Sequence, residues 1–394
     1  MIPMEKDNVL FMTAYVPHKA AAGEKNTMYM LNDLADEYNV DLIYYMYDYE
    51  NEYIPDKENI KVVSIMKNSM LVKLRNFFFY PFVHPTFSIR FDWGLLNKIR
   101  KLLKERNYKA VILNHSNMFI YGKFIDKSVI KILVCHDVII QRALRTSSSL
   151  AQKLCMMSEK KLLSQPNTHI FCLCEKDQKL IKDIYNLNSE VCLVYIDDKI
   201  KEVKPTQVGN YFVMLGDWSR KENSEGAIWL LNNISSLIEK DIEIRIIGRQ
   251  FPLDKINMSN NLKIKVLGFV DNPYSIIANS KAMLCPLFNG AGIKVKVIES
   301  LACGTPVIGT AIAFEGLPIN FNNFMILSNK PEEYISAMKN LNLSLEERIK
   351  TRENFIHAYE TDSMASRVKR LINVNGGGIY ARNLRMETSM LMAA

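Results

Sequence analysis

The sequence predicts an α/β protein built from two doubly wound domains, each a parallel sheet covered by helices. Short apolar runs of buried-strand type alternate with helical patterns along most of the chain, which is typical of parallel sheets. The 394 residues also exceed what one hydrophobic core usually holds. A polar passage, Asp197–Asn210, carries Pro205 and Gly209 near mid-chain, so we expect a domain of about 200 residues on each side of it.

The composition favours a globular protein with anionic partners. Hydrophobic residues make up 48% of the chain, and 50 Lys and Arg against 42 Asp and Glu give a net charge of +8. A surplus of this size suits anionic small molecules or an anionic membrane face. It is too diffuse to indicate nucleic-acid binding, and the sequence contains no recognition motif for DNA or RNA.

The seven cysteines are odd in number and lie mostly in apolar runs, so we expect buried free thiols in a reducing compartment. Cys172 and Cys174 alternate along one predicted strand without a second pair at ligand spacing, which argues against zinc. The N-terminus lacks a signal-like pattern, and no apolar run reaches about 18 residues. Together these features predict a cytoplasmic protein.

The first domain opens with a strand, a glycine-bearing loop, a helix and a second strand. The strand Val9–Ala14 leads into the loop Pro17–Gly23, a helix through Tyr38, and the strand Val40–Tyr45. This order predicts parallel pairing.

Residues 73–90 combine basic and aromatic side chains. Lys73 and Arg75 precede a run of aromatics from Phe77 to Phe82, and Arg90 closes the segment. Such a segment can lie on a lipid interface or hold the lipid part of a lipid-linked substrate. It can equally cover the apolar face of a sheet, and the pattern leaves both interpretations open.

Polar residues follow two strands of the first domain. The strand Lys109–Leu113, preceded by the helix Leu95–Glu105, ends in Asn114-His115-Ser116-Asn117, and the strand Lys131–Cys135 ends in His136-Asp137. Because ligands of α/β domains bind at the carboxyl ends of parallel strands, both clusters are candidate sites. The remaining predicted elements are the helix Ser158–Leu163, the strand Ile170–Cys174 and a helix over 176–185.

In the second domain each predicted strand leads into a glycine-bearing loop. Gly216 and the basic pair Arg220-Lys221 follow the first strand, and Gly248-Arg249 and Gly268-Phe269-Val270 follow the next two. The predicted strands are Tyr211–Leu215, Ile242–Ile247, Ile264–Leu267 and Ala282–Pro286, and the predicted helices are Ser224–Ile238, Pro331–Asn340 and Leu345–Tyr359.

The fourth strand leads into residues 289–310, around which the chain is organised. Gly290 and Gly292 form a turn into a helix that carries Lys294, Lys296 and Glu299, and Gly304 ends this helix before a last strand, Pro306–Gly309. A helix N-terminus with free N–H groups, flanked by glycines and two lysines, attracts phosphate. Glu299 lies one turn beyond Lys296, where a carboxylate suits sugar hydroxyls such as a ribose diol.

The run Gly-Ala-Gly-Ile-Lys-Val-Lys-Val-Ile-Glu-Ser-Leu-Ala-Cys-Gly-Thr-Pro-Val from Gly290 resembles the donor-binding signature of GT-B glycosyltransferases of the retaining family 4 type. These enzymes transfer sugar from a nucleotide diphosphate sugar. The resemblance is clear over Tyr211–Asn340, and in the first half it lies in organisation more than in motif. It implies two Rossmann-like domains facing across a cleft, over residues 1–200 and 208–362, a terminal helix (363–372) returning to the first domain, and a flexible tail (373–394).

The resemblance also implies roles for single residues. His136 would reach the donor sugar, Arg220 and Lys296 would meet the diphosphate, and Glu299 would hold the ribose; these four are the expected catalytic residues. No metal and no cofactor are implied, since side chains supply the positive charge. The remaining donor-binding positions implied are Gly23, Gly216, Lys221, Gly248, Arg249, Phe269, Val270, Asn289, Gly290, Ala291, Gly292, Ile293 and Lys294.

Two positions depart from the family's pattern. Ala291 stands where many relatives carry a glutamate that contacts the donor sugar, and Asn223 stands where many carry a lysine. Three interpretations follow: a sugar transferase of surface polysaccharide assembly, a nucleotide-sugar epimerase, or a non-catalytic nucleotide-sugar-binding or scaffold protein. The first fits best, because Glu299 and the basic residues are present. Its donor would be a UDP- or GDP-sugar and its acceptor a saccharide or lipid-linked saccharide, in the cytoplasm or at the inner face of the plasma membrane.

Overall fold

The computed structural model describes residues 6–17, 22–67, 69–79, 82–290, 292–317, 323–359 and 363–374. They divide into two compact units. The first contains the described residues within Met1–Leu173, Gln178–Cys192 and Asp362–Ala394, and the second contains those within Cys174–Asp177 and Leu193–Thr361.

The first unit is built on a parallel sheet. Its strands β1 to β7 are Asn8–Thr13, Asn39–Met46, Ile60–Lys67, Tyr108–Asn114, Ile130–Cys135, Thr168–Cys172 and Glu190–Val191. They lie in the order β3-β2-β1-β4-β5-β6-β7, and each pair is parallel. Strands β1, β4 and β5 are buried along nearly their whole length, which explains their almost continuous apolar sequences.

Helices join these strands. Asp92 shows why one of them begins where it does, because its carboxylate accepts the N–H of Leu95 at 2.9 Å and so caps the helix that starts at Trp93. That helix buries Leu95, Leu96 and Ile99. In chain order, α1 to α7 are Ala22–Glu37, Met70–Phe79, Pro85–Ser88, Trp93–Glu105, Ile139–Thr146, Ser149–Leu163 and Glu175–Tyr185, with a 3₁₀ segment at Ser116–Phe124.

The second unit has its own parallel sheet. Its strands β8 to β13 are Phe212–Leu215, Ile242–Ile247, Leu262–Gly268, Met283–Cys285, Val307–Gly309 and Met325–Leu327. They lie in the order β10-β9-β8-β11-β12-β13, all parallel. Its helices α8 to α13 are Asp198–Glu202, Lys221–Ile234, Tyr274–Ala278, Val295–Ala302, Pro331–Asn340 and Leu345–Ala358, with a 3₁₀ segment at Leu253–Lys255.

A last helix, α14 (residues 364–374), belongs to the first unit. Met364, Ala365 and Val368 are buried on it. The Ala365 N–H donates to the Asp33 carboxylate at 2.9 Å, and Lys369 forms an ion pair with Glu37 at 3.0 Å. The chain therefore completes its first unit with its last described residues.

Each sheet has one point at which the chain order reverses. In the first it lies between β1 and β4, where Thr13 is in register with Asn114. In the second it lies between β8 and β11, where Val213 is in register with Met283. The loops at the carboxyl ends of such a strand pair diverge and leave a crevice, which is the usual ligand site of a doubly wound sheet.

Most predicted elements are present, with shifted ends. The prediction of buried free thiols is confirmed for all seven cysteines. The helix predicted from Ser224 begins at Lys221, so Asn223 lies in its first turn, and the predicted helix Ser158–Leu163 is the end of the longer α6. The strand predicted to reach Cys174 ends at Cys172, and α14 continues to 374, past the predicted start of the tail. Residues 375–394 and Ala291 lie outside the described residues.

Candidate functional site

Three glycine-bearing loops at the carboxyl ends of β8, β9 and β10 are hydrogen-bonded to one another. The Gly216 N–H donates to the Ile247 carbonyl at 3.1 Å, and the Gly248 N–H donates to the Gly268 carbonyl at 2.7 Å. Gly248 has φ +122, and a Cβ there would lie 1.7 Å from the Gly216 carbonyl oxygen. The Trp218 indole N–H also donates to the Ile247 carbonyl, at 3.1 Å. Only glycine fits at position 248. The hydrogen bonds hold the loop before α9 against the loop that follows β9.

The predicted basic pair lies at the N-terminus of α9. Arg220 is the N-cap residue in extended conformation, Lys221 is the first helical residue, and both side chains are exposed. The Arg220 carbonyl accepts the Asn223 N–H at 2.9 Å and starts the helical hydrogen bonding. Two exposed cations therefore lie where a helix dipole is also positive, which favours an anion.

The second basic pair lies at the N-terminus of α11. Lys294 is the N-cap residue, and its ammonium group donates to the Gly292 carbonyl at 2.6 Å across the turn. Gly290 and Gly292 have φ +136 and +67, values that favour glycine. Asn289 is exposed and Ile293 is half-buried, and Lys294 and Lys296 follow them in the chain.

Lys296 connects the two helix N-termini. Its ammonium group donates to the Asn223 side-chain carbonyl at 2.7 Å, although 73 residues separate them in the chain. Burial lowers the pKa of Lys296, and Arg220 lowers it further, while Cys285 and Glu299 oppose the shift. A half-buried cation near Arg220 is a favourable position for a phosphate, because both positive charges attract it.

Glu299 is held by a side chain that the sequence analysis did not select. The Tyr274 hydroxyl lies 3.0 Å from the Glu299 carboxylate and 2.9 Å from the Asp197 carboxylate. Burial, followed by Glu299 and Asp197, raises the pKa of Tyr274, so the hydroxyl keeps its proton. Asp197 in turn caps α8 by accepting the Lys199 N–H at 2.9 Å. Glu299 thus has a fixed orientation one turn beyond Lys296.

The loop after β10 presents an aromatic ring to solvent. Phe269 is 51% exposed, and the Arg249 guanidinium lies 4.5 Å from its ring centroid. Val270 is half-buried next to it. The two loops predicted to hold the donor are therefore in contact, through a cation–π interaction.

The first unit has a polar network at its own crevice. The Asn114 amide donates to the Thr27 hydroxyl at 2.8 Å and to the Thr13 hydroxyl at 3.2 Å, and the Thr27 hydroxyl donates to the Gly23 carbonyl at 2.9 Å. The Asn114 carbonyl oxygen is thereby left to accept from His136 Nε2, at 2.8 Å. Burial lowers the pKa of His136 to about 4, so near neutral pH the ring is uncharged and its Nδ1, which faces Gly23, is an acceptor.

His115 stacks on His136, with ring centroids 3.8 Å apart. Its φ of 73° is unusual for a residue with a side chain, and such conformations concentrate at functional sites. The Thr13 hydroxyl lies 3.2 Å from His115 Nδ1. Burial, followed by His136 and Arg90, lowers the pKa of His115 well below its usual range, so the ring is uncharged near neutral pH.

The predicted residues therefore fall into two groups. The second unit brings together the groups around α9, α11 and the loop after β10, whereas His136 and Gly23 lie in the network of the first unit. Tyr274, Asp197 and Thr27 were missed, and nothing in their local sequence marks them. Within the described ranges, no three His, Cys, Asp or Glu side chains are grouped to hold a metal ion.

Residues 209–342 match the family described as glycosyl transferases group 1. A protein from the cps region of Klebsiella pneumoniae, described as an uncharacterized 44.6 kDa protein, is 26% identical over 152 residues. The match covers 35% of this chain, and the chain spans only about a third, 36%, of that relative.

Solved structures share the fold over nearly the whole chain. WaaG, a glycosyltransferase involved in lipopolysaccharide biosynthesis, has a TM-score of 0.60 at 14% identity, covering 94% of this chain and all of WaaG. HepE of Anabaena in complex with UDP-glucose has a TM-score of 0.61 at 11% identity, covering 93% of this chain and 99% of HepE. Identities this low show the fold alone, and they confirm the predicted pair of doubly wound α/β domains.

Proposed function

From the match of residues 209–342 to the glycosyl transferases group 1 family, we propose that the chain is a glycosyltransferase. It takes a sugar from a nucleotide diphosphate sugar and passes it to a saccharide or lipid-linked saccharide. The observation that carries this proposal is the cluster of Arg220, Lys221, Lys294 and Lys296 at two adjoining helix N-termini, with Glu299 fixed one turn further on.

The chemistry follows from where charge develops. Cleavage of the anomeric bond leaves negative charge on the nucleotide diphosphate, and preorganised cations stabilise that charge more in the transition state than in the ground state. Lys296 is fixed by Asn223 at 2.7 Å, so little reorganisation is needed when the charge appears. The asparagine that replaces the lysine of many relatives thus orients the remaining cation.

The other side chains serve recognition. The Glu299 carboxylate accepts hydrogen bonds from the ribose diol while Tyr274 holds it, and the backbone around Phe269 and Val270 contacts the base. In the first unit, neutral His136 accepts a hydrogen bond from a sugar hydroxyl through Nδ1. No side chain in this scheme acts as a nucleophile, which accords with retention by attack on the leaving-group face. The scheme requires no metal and no cofactor.

The comparisons favour a UDP-sugar donor and surface polysaccharide as the product. The Anabaena structure holds UDP-glucose, and the bacterial relative is named for a cps region. WaaG is named for lipopolysaccharide biosynthesis. Such a reaction takes place in the cytoplasm, at the inner membrane face where lipid-linked acceptors are exposed.

Helix α2 supports contact with that face. Leu71, Leu74 and Phe78 are 79%, 54% and 69% exposed, and their spacing places them on one side of the helix. On the other side buried Asn76 donates to the Phe91 carbonyl at 2.7 Å and anchors the helix to the first unit. The helix carries Lys73 and Arg75 and no acid. These apolar side chains do not cover the sheet, so we assign them to an anionic lipid surface. No helix among the described residues is long and apolar enough to cross a membrane.

The test is a screen of the purified protein against UDP, GDP, dTDP and CMP sugars, by thermal shift and by release of free nucleotide. We expect stabilisation and slow release with one nucleotide class. Lys296→Ala should lower the release rate by about two to three powers of ten. Lys339→Ala, at an exposed lysine paired with Glu239, is the matched control and should leave both signals unchanged.

Stabilisation that is lost in Lys296→Ala, but without release even when acceptors are supplied, would favour the non-catalytic binding protein. No response to any nucleotide would refute the proposal.

A further inference from the structure

The guanidinium of Arg90 is buried in the first unit without a carboxylate partner among the residues that the structure describes. Arg90 is 5% exposed, and its Nη1 is fully buried with no hydrogen-bond partner. Its Nη2 lies 3.5 Å from the Tyr47 hydroxyl, the outer limit of a hydrogen bond. A buried cation that is neither paired nor fully hydrogen-bonded costs free energy, so its retention calls for a reason.

Aromatic rings surround this charge. The guanidinium carbon lies 4.3 Å from the Tyr15 ring centroid and 5.7 Å from that of Tyr45. The Arg90 carbonyl accepts the hydroxyls of Tyr45 and Tyr121, at 2.5 and 2.9 Å. These two hydrogen bonds fix the backbone at Arg90. The rings offset part of the free-energy cost of removing its charge from water. Rings supply no hydrogen-bond acceptor in the guanidinium plane, so the N–H groups keep their capacity for an anion.

The arginine adjoins the network of the first unit. The Tyr15 ring packs edge-on against His115, with centroids 5.0 Å apart, and Tyr15 is half-buried, so it reaches the surface. His115 is a neutral ring whose Nδ1 lies 3.2 Å from the Thr13 hydroxyl. The Arg90 guanidinium presents donors only, and its Nη1 has no hydrogen-bond partner. A neutral sugar hydroxyl would leave the charge of Arg90 unpaired, whereas an oxyanion would pair with it.

We propose that Arg90, beside the Tyr15 ring, binds a negatively charged group on the acceptor, either a carboxylate, as in a uronic acid, or a phosphate. This inference rests on the proposed transferase function and adds the class of acceptor to it. Arg90 pairs with the anion, and the Tyr15 ring, 4.3 Å from the guanidinium carbon, holds the side chain in place. The transferase therefore selects acidic saccharides or sugar phosphates over neutral ones.

The test measures binding of glucuronic acid, glucose 1-phosphate and glucose to the full chain by isothermal titration calorimetry or ligand-observed NMR, with UDP present and absent. We expect one charged probe to bind at least about tenfold more tightly than glucose. The carboxylate and phosphate probes distinguish the two sources of charge. This comparison uses the unmodified protein, so it does not depend on whether a variant folds.

Variants then assign the preference to Arg90. Arg90→Met should abolish it, and Arg90→Lys should keep part of it. Arg90→Met should be no less stable to urea than the unmodified chain, because it removes an unpaired buried charge. Stabilisation by UDP, which depends on the second unit, should be the same in all three proteins.

Equal binding of charged and neutral probes, or a preference that survives in Arg90→Met, would overturn the inference. The proposed function fails separately, through absence of stabilisation by any nucleotide, so the two failures are distinguishable.

Discussion

Lys296 is a half-buried cation whose pKa burial lowers below the 10.5 of an ordinary lysine. As the pH rises, Lys296 therefore loses its charge at a lower pH than an ordinary lysine does. The leaving group then loses the stabilisation that this charge supplies. We expect the alkaline limb of the pH–rate profile to fall below pH 10.5, and Lys296→Arg to move it upward, because a guanidinium stays charged. Initial rates from about pH 7 to 11 measure this. An unchanged limb in the arginine variant would assign the titration to another group.

Tyr274 is the residue that fixes Glu299. Tyr274→Phe removes a hydroxyl that lies 2.9 Å from Asp197 and 3.0 Å from Glu299, which leaves two neighbouring carboxylates without their shared donor. We expect a loss of about 1–3 kcal/mol of unfolding free energy and a donor affinity lowered about tenfold. Urea unfolding and nucleotide titration measure the two effects. Tyr334→Phe, at another buried tyrosine of the same unit, is the control and should leave nucleotide affinity unchanged.

At the residue scale, contacts could be predicted from the sequence where the order of the strands determines which residues are neighbours. Asn114 and His136 follow adjacent strands, so their 2.8 Å contact is a consequence of the parallel sheet. The Tyr274–Asp197 bond spans 77 residues and Lys296–Asn223 spans 73, and both depend on how loops pack. In the sequence Arg90 is the last residue of an aromatic segment, and only the structure shows that its Nη1 is buried without a hydrogen-bond partner.

Helix α2 makes the membrane proposal testable as a single element. Phe77 and Phe78 are 59% and 69% exposed, and replacing both with serine should lower binding to vesicles containing phosphatidylglycerol about tenfold or more. Added salt should weaken binding of the unmodified protein, because Lys73 and Arg75 are screened.

Co-sedimentation measures both effects. Ile54→Ser is the control, because Ile54 is 84% exposed and lies outside this helix. Equal loss in the control, or no binding by the unmodified chain, would contradict the assignment of α2 to a lipid surface.

The elements were predictable to different degrees. Continuous apolar runs identified β1, β2, β4, β5 and β9, because strands buried on both faces have few polar positions. Strand β3, with exposed Lys61 and Lys67, has a mixed pattern and was missed. The start of α9 was placed three residues late, because Lys221, Glu222 and Asn223 resemble a polar loop although they form its first turn.

At the scale of the whole molecule, α14 contributes to the stability of the first unit. Truncation before residue 363 removes buried Met364 and Val368 and the ion pairs of Lys369 with Glu37 and of Arg370 with Glu190, at 3.0 and 3.1 Å. We expect a loss of several kcal/mol of unfolding free energy. Urea unfolding measures this loss of free energy. Hydrogen exchange of the backbone amides of β1 and β4 shows whether the loss falls on the first unit. A truncation after residue 374 keeps α14 and serves as the control, and equal loss in both would contradict the prediction.

The alternation of strands and helices along the chain sufficed to predict two doubly wound sheets, because a parallel strand pair requires a crossover helix. The terminal helix was expected only through the family resemblance. Its partners Asp33, Glu37 and Glu190 are ordinary surface acids in the sequence, so no local pattern pairs them with the last residues.

The return of α14 has a consequence for synthesis on the ribosome. The strands of the first unit emerge early, yet nearly the whole second unit is translated before α14 is made. At about 5–20 residues per second, roughly 10 to 30 s pass in which the nascent chain holds an uncovered apolar patch. The second unit, almost contiguous in sequence, can complete its fold first. We therefore expect the N-terminal half, and not the second unit, to depend on chaperones during translation.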